Sequence, residues 1–248
     1  MSFFARTDIG LVREQNQDSF ATSESESDFA WAVVCDGMGG ALGGNIASEI
    51  ATTIISDRIV VGFVNEMSEQ SVKNLLHSAF EAANLEIYEK GKEEENLHGM
   101  GTTAVAMVSV GNKVYFSHVG DSRAYILNEQ GITQVTHDHS IVQLLIDSGE
   151  LTEEGAKTHP QRNIITRALG VDAFINPEFN GELIEEDDTV LICTDGLSNV
   201  VSEEEIFEMY LKDSADEFVD DLVDTALQKG GSDNITVVCY KNDSAGGV

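Results

Sequence analysis

The chain has 248 residues, enough for one large domain whose core is held by burial alone. It carries 14 basic residues against 44 acidic ones, a net charge of −30. Such a surface repels nucleic-acid phosphates and anionic lipid headgroups, which excludes nucleic-acid binding and membrane-surface attachment. The three cysteines (Cys35, Cys193 and Cys239) lie in or at the end of apolar runs, and no Cys-X-X-Cys occurs. They read as buried reduced thiols of a cytoplasmic protein. None is followed six residues later by Arg, so a cysteine-phosphatase loop is absent. Arg6 and Asp8 leave no room for a secretory apolar stretch, and no run reaches the ~18 apolar residues of a membrane span.

Residues 3–9 read as a first strand, and 22–28 as a polar loop. Residues 29–35 form an apolar run of strand length, followed by Asp36-Gly37-Met38-Gly39-Gly40, a turn that no regular element accommodates. A helix is expected over 45–59. A second, over 68–91, shows Val72, Leu75, Leu76, Ala79, Phe80 and Ala83 on one face. Three strand-like runs at 102–110, 113–119 and 122–127, separated by Gly111-Asn112 and Gly120-Asp121, suggest an antiparallel meander. Residues 138–170 read as an inserted flap, with a capping box at Ser140 and Gln143, a short helix from Thr152 and an irregular stretch from 159. A strand over 189–194 leads into Asp195-Gly196. Ser202 with Glu205 and Ser214 with Glu217 open two helices. The turn at 230–234 precedes a last strand over 235–240. Without a Pro-rich linker or a repeat, residues 1–241 read as one domain, and 242–248 as a fraying polar tail.

Four aspartates share one context. Asp36, Asp121 and Asp195 each stand just past an apolar run and beside a glycine, and Asp233 follows Gly230-Gly231 directly before a strand. A strand end fixes a carboxylate, and a neighbouring glycine lets the backbone bend and a carbonyl approach a ligand. Any one Asp-Gly pair is an ordinary turn. Four together, with Asp18 as a fifth, form a set of oxygen ligands suited to hard cations such as Mg²⁺ or Mn²⁺. His137-Asp138-His139 is a weaker candidate, because adjacent residues rarely face one ion; a helix cap at Asp138 or Ser140 suits it better. Met107 and Met209 read as core. Arg162 and Arg167 are open between substrate contact and a solvated surface.

At this point the chain resembles the metal-dependent, type 2C protein serine/threonine phosphatases, bacterial branch. The resemblance is carried by Arg13-Glu14-Gln15-Asn16-Gln17-Asp18, Asp36-Gly37-Met38-Gly39-Gly40, Gly101-Thr102-Thr103 and Val119-Gly120-Asp121-Ser122-Arg123. It continues through Thr194-Asp195-Gly196-Leu197 and Gly231-Ser232-Asp233-Asn234-Ile235-Thr236. The resemblance implies an α+β four-layer sandwich: two mainly antiparallel β-sheets flanked by helices. It implies that Asp36 bridges two metals, that the Gly37 carbonyl is a ligand of the second, and that Asp195 and Asp233 complete the first. Asp121, with Asp195 shared, matches a third-metal ligand. Asp18 matches a carboxylate acting through metal-bound water, Arg13 the arginine that grips the substrate phosphate, and Asn234 a support for the last metal ligand.

The implied activity is hydrolysis of phosphoserine and phosphothreonine in proteins by a metal-activated water, with Mn²⁺ or Mg²⁺, two in the core site and a third beside them. The implied partners are phosphorylated proteins, among them a serine/threonine protein kinase, met by a monomer. This chain has Gln17 where many members have an acid, and Met38 where animal and plant members often have a histidine. Met38 has no proton to give, which leaves water on a metal or His139 as the donor to the leaving group. A catalytically silent regulatory fold and a metallohydrolase of small phosphate esters are the rival readings. The full set of carboxylates argues against the first.

Overall fold

The computed structural model describes residues 2–24 and 29–242. The run at 29–35 lies in strand β3 (Ala30–Met38), and its burial explains why it reads as continuously apolar. Ala30, Ala32 and Val34 point to one face, and Trp31, Val33 and Cys35 to the other; both sets are buried, in separate clusters. A strand covered on both sides has no polar face to alternate with. The same holds for β5 (Ala104–Val110), where Val105 and Met107 face one cluster and Ala104, Ala106 and Val108 the other.

Two antiparallel sheets result. The first contains β1 (Ser2–Asp8), β7 (Arg123–Asn128), β8 (Gly131–Gln134), β10 (Thr189–Cys193) and β11 (Ile235–Lys241), in the order β1-β11-β10-β7-β8. The second runs β2-β3-β5-β6-β9, with β2 at Asp18–Thr22, β6 at Lys113–Val119 and β9 at Glu178–Leu183; the short β4 (Gly101–Thr102) pairs with β3. Helices α1 (Gly40–Gly62) and α2 (Glu69–Glu93) cover the outer face of the second sheet through Ala47, Ala51, Ile55, Leu76 and Phe80. Helices α5 (Asp195–Ser198), α6 (Glu203–Tyr210) and α7 (Ala215–Gln228) cover the first through Leu197, Ile206, Phe218 and Leu222. Val34, Met107, Phe116, Ile192 and Tyr240 fill the space between the sheets. The expected four-layer α+β sandwich is what the chain forms.

The expected meander is corrected. β5 and β6 form a hairpin, with Val110 opposite Lys113, but β7 leaves for the other sheet and pairs with β10 and β8. The Gly120-Asp121-Ser122 segment is thus a crossover between sheets. Gly120 makes it sharp: its φ is +105°, and a Cβ there would lie 2.5 Å from Thr103 Cγ2. Sequence reading also misses β2, β8 and β9, whose residues are mostly half-buried or exposed and lack an apolar signature.

Between β8 and β9 lie α3 (Ile141–Asp147) and α4 (Glu153–Ala156), which pack on each other. Ser140 caps α3, but Gln143 bonds Asp147 instead of returning to the cap, so only half of the expected box forms. The boxes at Ser202/Glu205 and Ser214/Glu217 are complete. Ser202→Ala is expected to cost about 1 kcal/mol, which calorimetry would record as a Tm lowered by roughly 2–4 °C in a chain of this size. Residues 25–28 of the expected polar loop, and all of the expected tail except Asn242, lie outside the described residues. All three cysteines are buried, and none forms a disulfide among the described residues.

Candidate metal centre and active site

The strand ends of both sheets meet at one rim. Asp36 stands near the end of β3, Asp195 opens α5 directly after β10, Asp233 precedes β11, and Asp121 lies in the crossover. All four line one cavity of about 490 Å³, together with Arg13, Gly37, Met38, Thr103, Asn163 and Asn234. The turn-borne acids, far apart in sequence, therefore converge.

Asp18 on β2 lies directly opposite Asp36 on β3. Like charges opposite each other on paired strands repel, and this pair sits among further acids. Burial, first of all, pushes Asp36 well above the ordinary carboxylate range, and the charges of Asp18, Asp195, Asp121 and Asp233 add to it. Asp121 is raised to about 8 by burial and by Asp195. Asp195 is raised to about 6 by burial and by Asp233. Burial also raises Asp18 to about 7, although Thr236 Oγ1 and Thr194 Oγ1 donate to its Oδ2 at 2.7 and 2.9 Å. Asp18 Oδ1 and Asp195 Oδ1 are buried without a hydrogen-bond partner. A concentration of desolvated carboxylates, two with orphaned oxygens, is unstable by itself and fits divalent cations.

The backbone around these acids is tightly held. Thr103 Oγ1 accepts from Asp36 N–H at 3.0 Å, while Thr102 Oγ1 and Thr103 N–H donate to Asp36 O at 2.8 and 2.9 Å. Gly37 N–H donates to Gln17 O at 3.0 Å. A Cβ on Gly37 would lie 2.1 Å from Gly44 O, so only glycine brings this backbone so close to the start of α1. Asn234 Oδ1 accepts from Gln17 N–H, and its Nδ2 donates to Ile9 O and Gln15 O, each at 2.9 Å. It ties the Arg13–Asp18 segment to the start of β11. Arg13 is half exposed, and its Nη2 donates to Asp233 Oδ2 at 2.7 Å.

Other candidates resolve differently. Asp138 pairs with Arg123 at 2.7–3.0 Å and caps nothing; Ser140 is the cap. Arg167 pairs with Glu178, while Arg162 lines a second cleft that also reaches Asp121 and Asp195. His139 does not reach the cavity wall; it is buried, with both ring nitrogens engaged, and desolvation above all lowers it to about 4. It is no proton donor to a leaving group. Among the described residues lining the cavity there is no His, Lys, Cys or Tyr. Cys35 and Cys193, whose thiols burial pushes up to about 12, are no nucleophiles. Sequence reading misses Asn163 and Ile165 as wall residues, because nothing in the irregular stretch marks them. Thr103 was visible only as part of a motif, without a task.

Residues 12–232 match the family model described as protein phosphatase 2C. The chain is 36% identical over 239 residues to the serine/threonine phosphatase stp of Listeria monocytogenes, covering 96% of this chain and 94% of that one. Among solved structures, the serine/threonine phosphatase Stp1 of Staphylococcus aureus aligns with a TM-score of 0.90 at 33% identity, over 96% of this chain and 94% of that one. The catalytic domain of the serine/threonine protein phosphatase PstP, in complex with two manganese ions, aligns with a TM-score of 0.85 at 34% identity, over 98% of each chain.

Proposed function

Since this chain belongs to the protein phosphatase 2C family, we propose that it hydrolyses phosphoserine and phosphothreonine in proteins at the carboxylate-lined cavity, with divalent cations held there. The observation that carries the placement is the register of Asp18 against Asp36, two acids whose buried proximity calls for a cation between or beside them. Asp36, Asp195, Asp233 and the Gly37 carbonyl would hold a pair of ions, Mn²⁺ or Mg²⁺. Asp121, sharing Asp195, would hold a third. When bound, such ions lower the pKa of a water molecule and neutralise charge on the phosphoryl oxygens.

The chain's own groups do the rest. Arg13 grips the phosphate with its planar guanidinium, exchanging its contact with Asp233 for the ester. Asp18, held by two threonine hydroxyls, orients water near Asp36. Asn234 keeps Asp233 and the Arg13 segment in register. Met38 lines the cavity without a proton to give, so the leaving alkoxide takes its proton from water. Residues 1–241 act as one catalytic domain. The segment 138–170 serves as a flap that supplies Asn163 and Ile165 to the wall. The natural substrates are phosphoproteins, including a serine/threonine protein kinase, met by a cytoplasmic monomer.

Phosphate release from phosphopeptides by purified, chelated protein, with Mn²⁺ restored, tests the reading. Activity that survives chelation overturns it. Arg13→Ala is expected to raise KM for a phosphopeptide by at least ~10-fold, with a smaller fall in kcat, since a lost charge-assisted bond is worth about 1.5–3 kcal/mol. An unchanged KM would remove Arg13 from the phosphate.

A further inference from the structure

His118, His139 and Glu178 place ligand-type atoms within 4.8 Å of one another, outside the cavity. They do not form a metal site. The two imidazoles stack, centroids 4.9 Å apart and planes 13° from parallel. Their in-plane lone pairs thus lie in near-parallel layers and cannot meet at one ion. Arg167 Nη1 also sits 3.1 Å from His139 Nε2 and 3.2 Å from Glu178 Oε1, so a cation is already in place.

What the cluster does hold is Gly120. Gly120 N–H donates to His139 Nδ1 at 3.1 Å, and His139 N–H donates back to Gly120 O at 3.0 Å. Both sides of the residue before Asp121 are thereby gripped by one histidine. Because a backbone N–H can only donate, Nδ1 is an acceptor, and the proton of the neutral ring stands on Nε2. Nε2–H then donates to Glu178 Oε1 at 3.0 Å, and the Arg167 donor must serve Glu178 rather than the ring. The histidine is itself anchored, since Thr166 N–H donates to His139 O at 2.7 Å. On the other side of Asp121, Ser122 Oγ lies 2.7 Å from Thr103 Oγ1, which holds Asp36. Asp121 is therefore suspended between two fixed neighbours, one belonging to the Asp36 network and the other to His139.

We infer that His139 is the positioning residue for Asp121, and that Glu178 and Arg167 hold its ring in the tautomer this requires. The inference rests on the reading that Asp121 binds an additional divalent cation. Affinity for that ion is then set from β9 and the segment before it. Outer partners of this kind usually matter 10–100-fold to metal affinity.

The test is a titration with Mn²⁺ alone, with free Mn²⁺ followed by electron paramagnetic resonance. Wild type is expected to show tighter ions plus one weaker ion, and Asp121→Ala to lose only the weaker. His139→Gln, which keeps an amide for Glu178 but puts no acceptor on Cγ, is expected to weaken that ion at least 10-fold. His139→Asn, whose oxygen is bonded to Cγ as Nδ1 is, is expected to stay within about 3-fold of wild type. Glu178 is 41% exposed, so Glu178→Ala leaves the core closed. It is expected to weaken the same ion severalfold and to abolish the single Nε2–H signature of His139 in ¹⁵N spectra. If Asp121→Ala loses no ion, the underlying reading fails and this inference with it. If Asp121→Ala loses one but His139→Gln binds as wild type does, or Asn and Gln are equally impaired, the inference alone is overturned. Should His139→Gln not fold, the binding and spectra of Glu178→Ala decide.

Discussion

Asp36→Asn is expected to lower phosphate release from a phosphopeptide by ~10³-fold or more, about 4 kcal/mol of transition-state stabilisation, while the protein stays folded. Asp36 is the most surrounded of the acids, raised by burial and by four other aspartates. In the proposed site Asp36 would help to hold the core ions, so its loss would weaken their binding. The amide keeps the volume, and the backbone remains held by Thr102 and Thr103. Without metal, Asp36→Asn relieves repulsion with Asp18, and its Tm in chelator should equal or exceed that of wild type. Added Mn²⁺ should raise the Tm of wild type but not of the variant. Retention of more than a tenth of the activity would remove Asp36 from the centre of the chemistry.

Metal-free protein is expected to lose stability as pH rises, and Mn²⁺ to reverse the trend. Asp195, Asp18 and Asp121 are raised to about 6, 7 and 8, against ~3.9 for a free aspartate. The folded state therefore binds protons that the unfolded chain has released, and the unfolding free energy falls between about pH 4 and pH 8. These groups titrate as one cluster, so the total is on the order of a few kcal/mol rather than the sum of separate shifts. For a chain of this size that is a Tm roughly 5–10 °C lower at pH 8 than at pH 5 in chelator. Cations bind the ionised carboxylates, so the rise in Tm with Mn²⁺ should grow over the same interval. Calorimetry in chelator and in Mn²⁺ at both pH values checks this. A metal increment that shrinks with rising pH would contradict a carboxylate site.

How much of this could be read beforehand depended on whether the information was local. Asp36, Asp121 and Asp195 announce themselves because an apolar run followed by Asp beside Gly is a local pattern with a local cause, a strand end meeting a sharp turn. The helix over 68–91 was equally visible, since its apolar face repeats along one segment. The partition of strands was not. Gly120-Asp121 resembles a hairpin turn, and it is the pairing of β7 with β10 that shows the chain passing to the other sheet. Edge strands such as β9 carry residues that would suit a loop. His139, in the flap, is one of two proton donors that the sequence leaves open once Met38 is set aside, the other being water on a metal. Its actual partners, Gly120 and Glu178, lie 19 and 39 positions away, beyond any local signal.

The pairing of β1 with β11, from Ser2 opposite Lys241 to Asp8 opposite Ile235, bears on how the protein is made. β11 is an interior strand of its sheet, between β1 and β10, and Asp233 stands just before it. During synthesis the opening strand must wait without its neighbour while nearly the whole chain emerges, a long-range closure that is slow by nature. Asp36, near the end of β3, can be in place long before Asp233, which waits for β11 to dock. In the proposed site the set of carboxylates would therefore be complete only once β11 has joined β1.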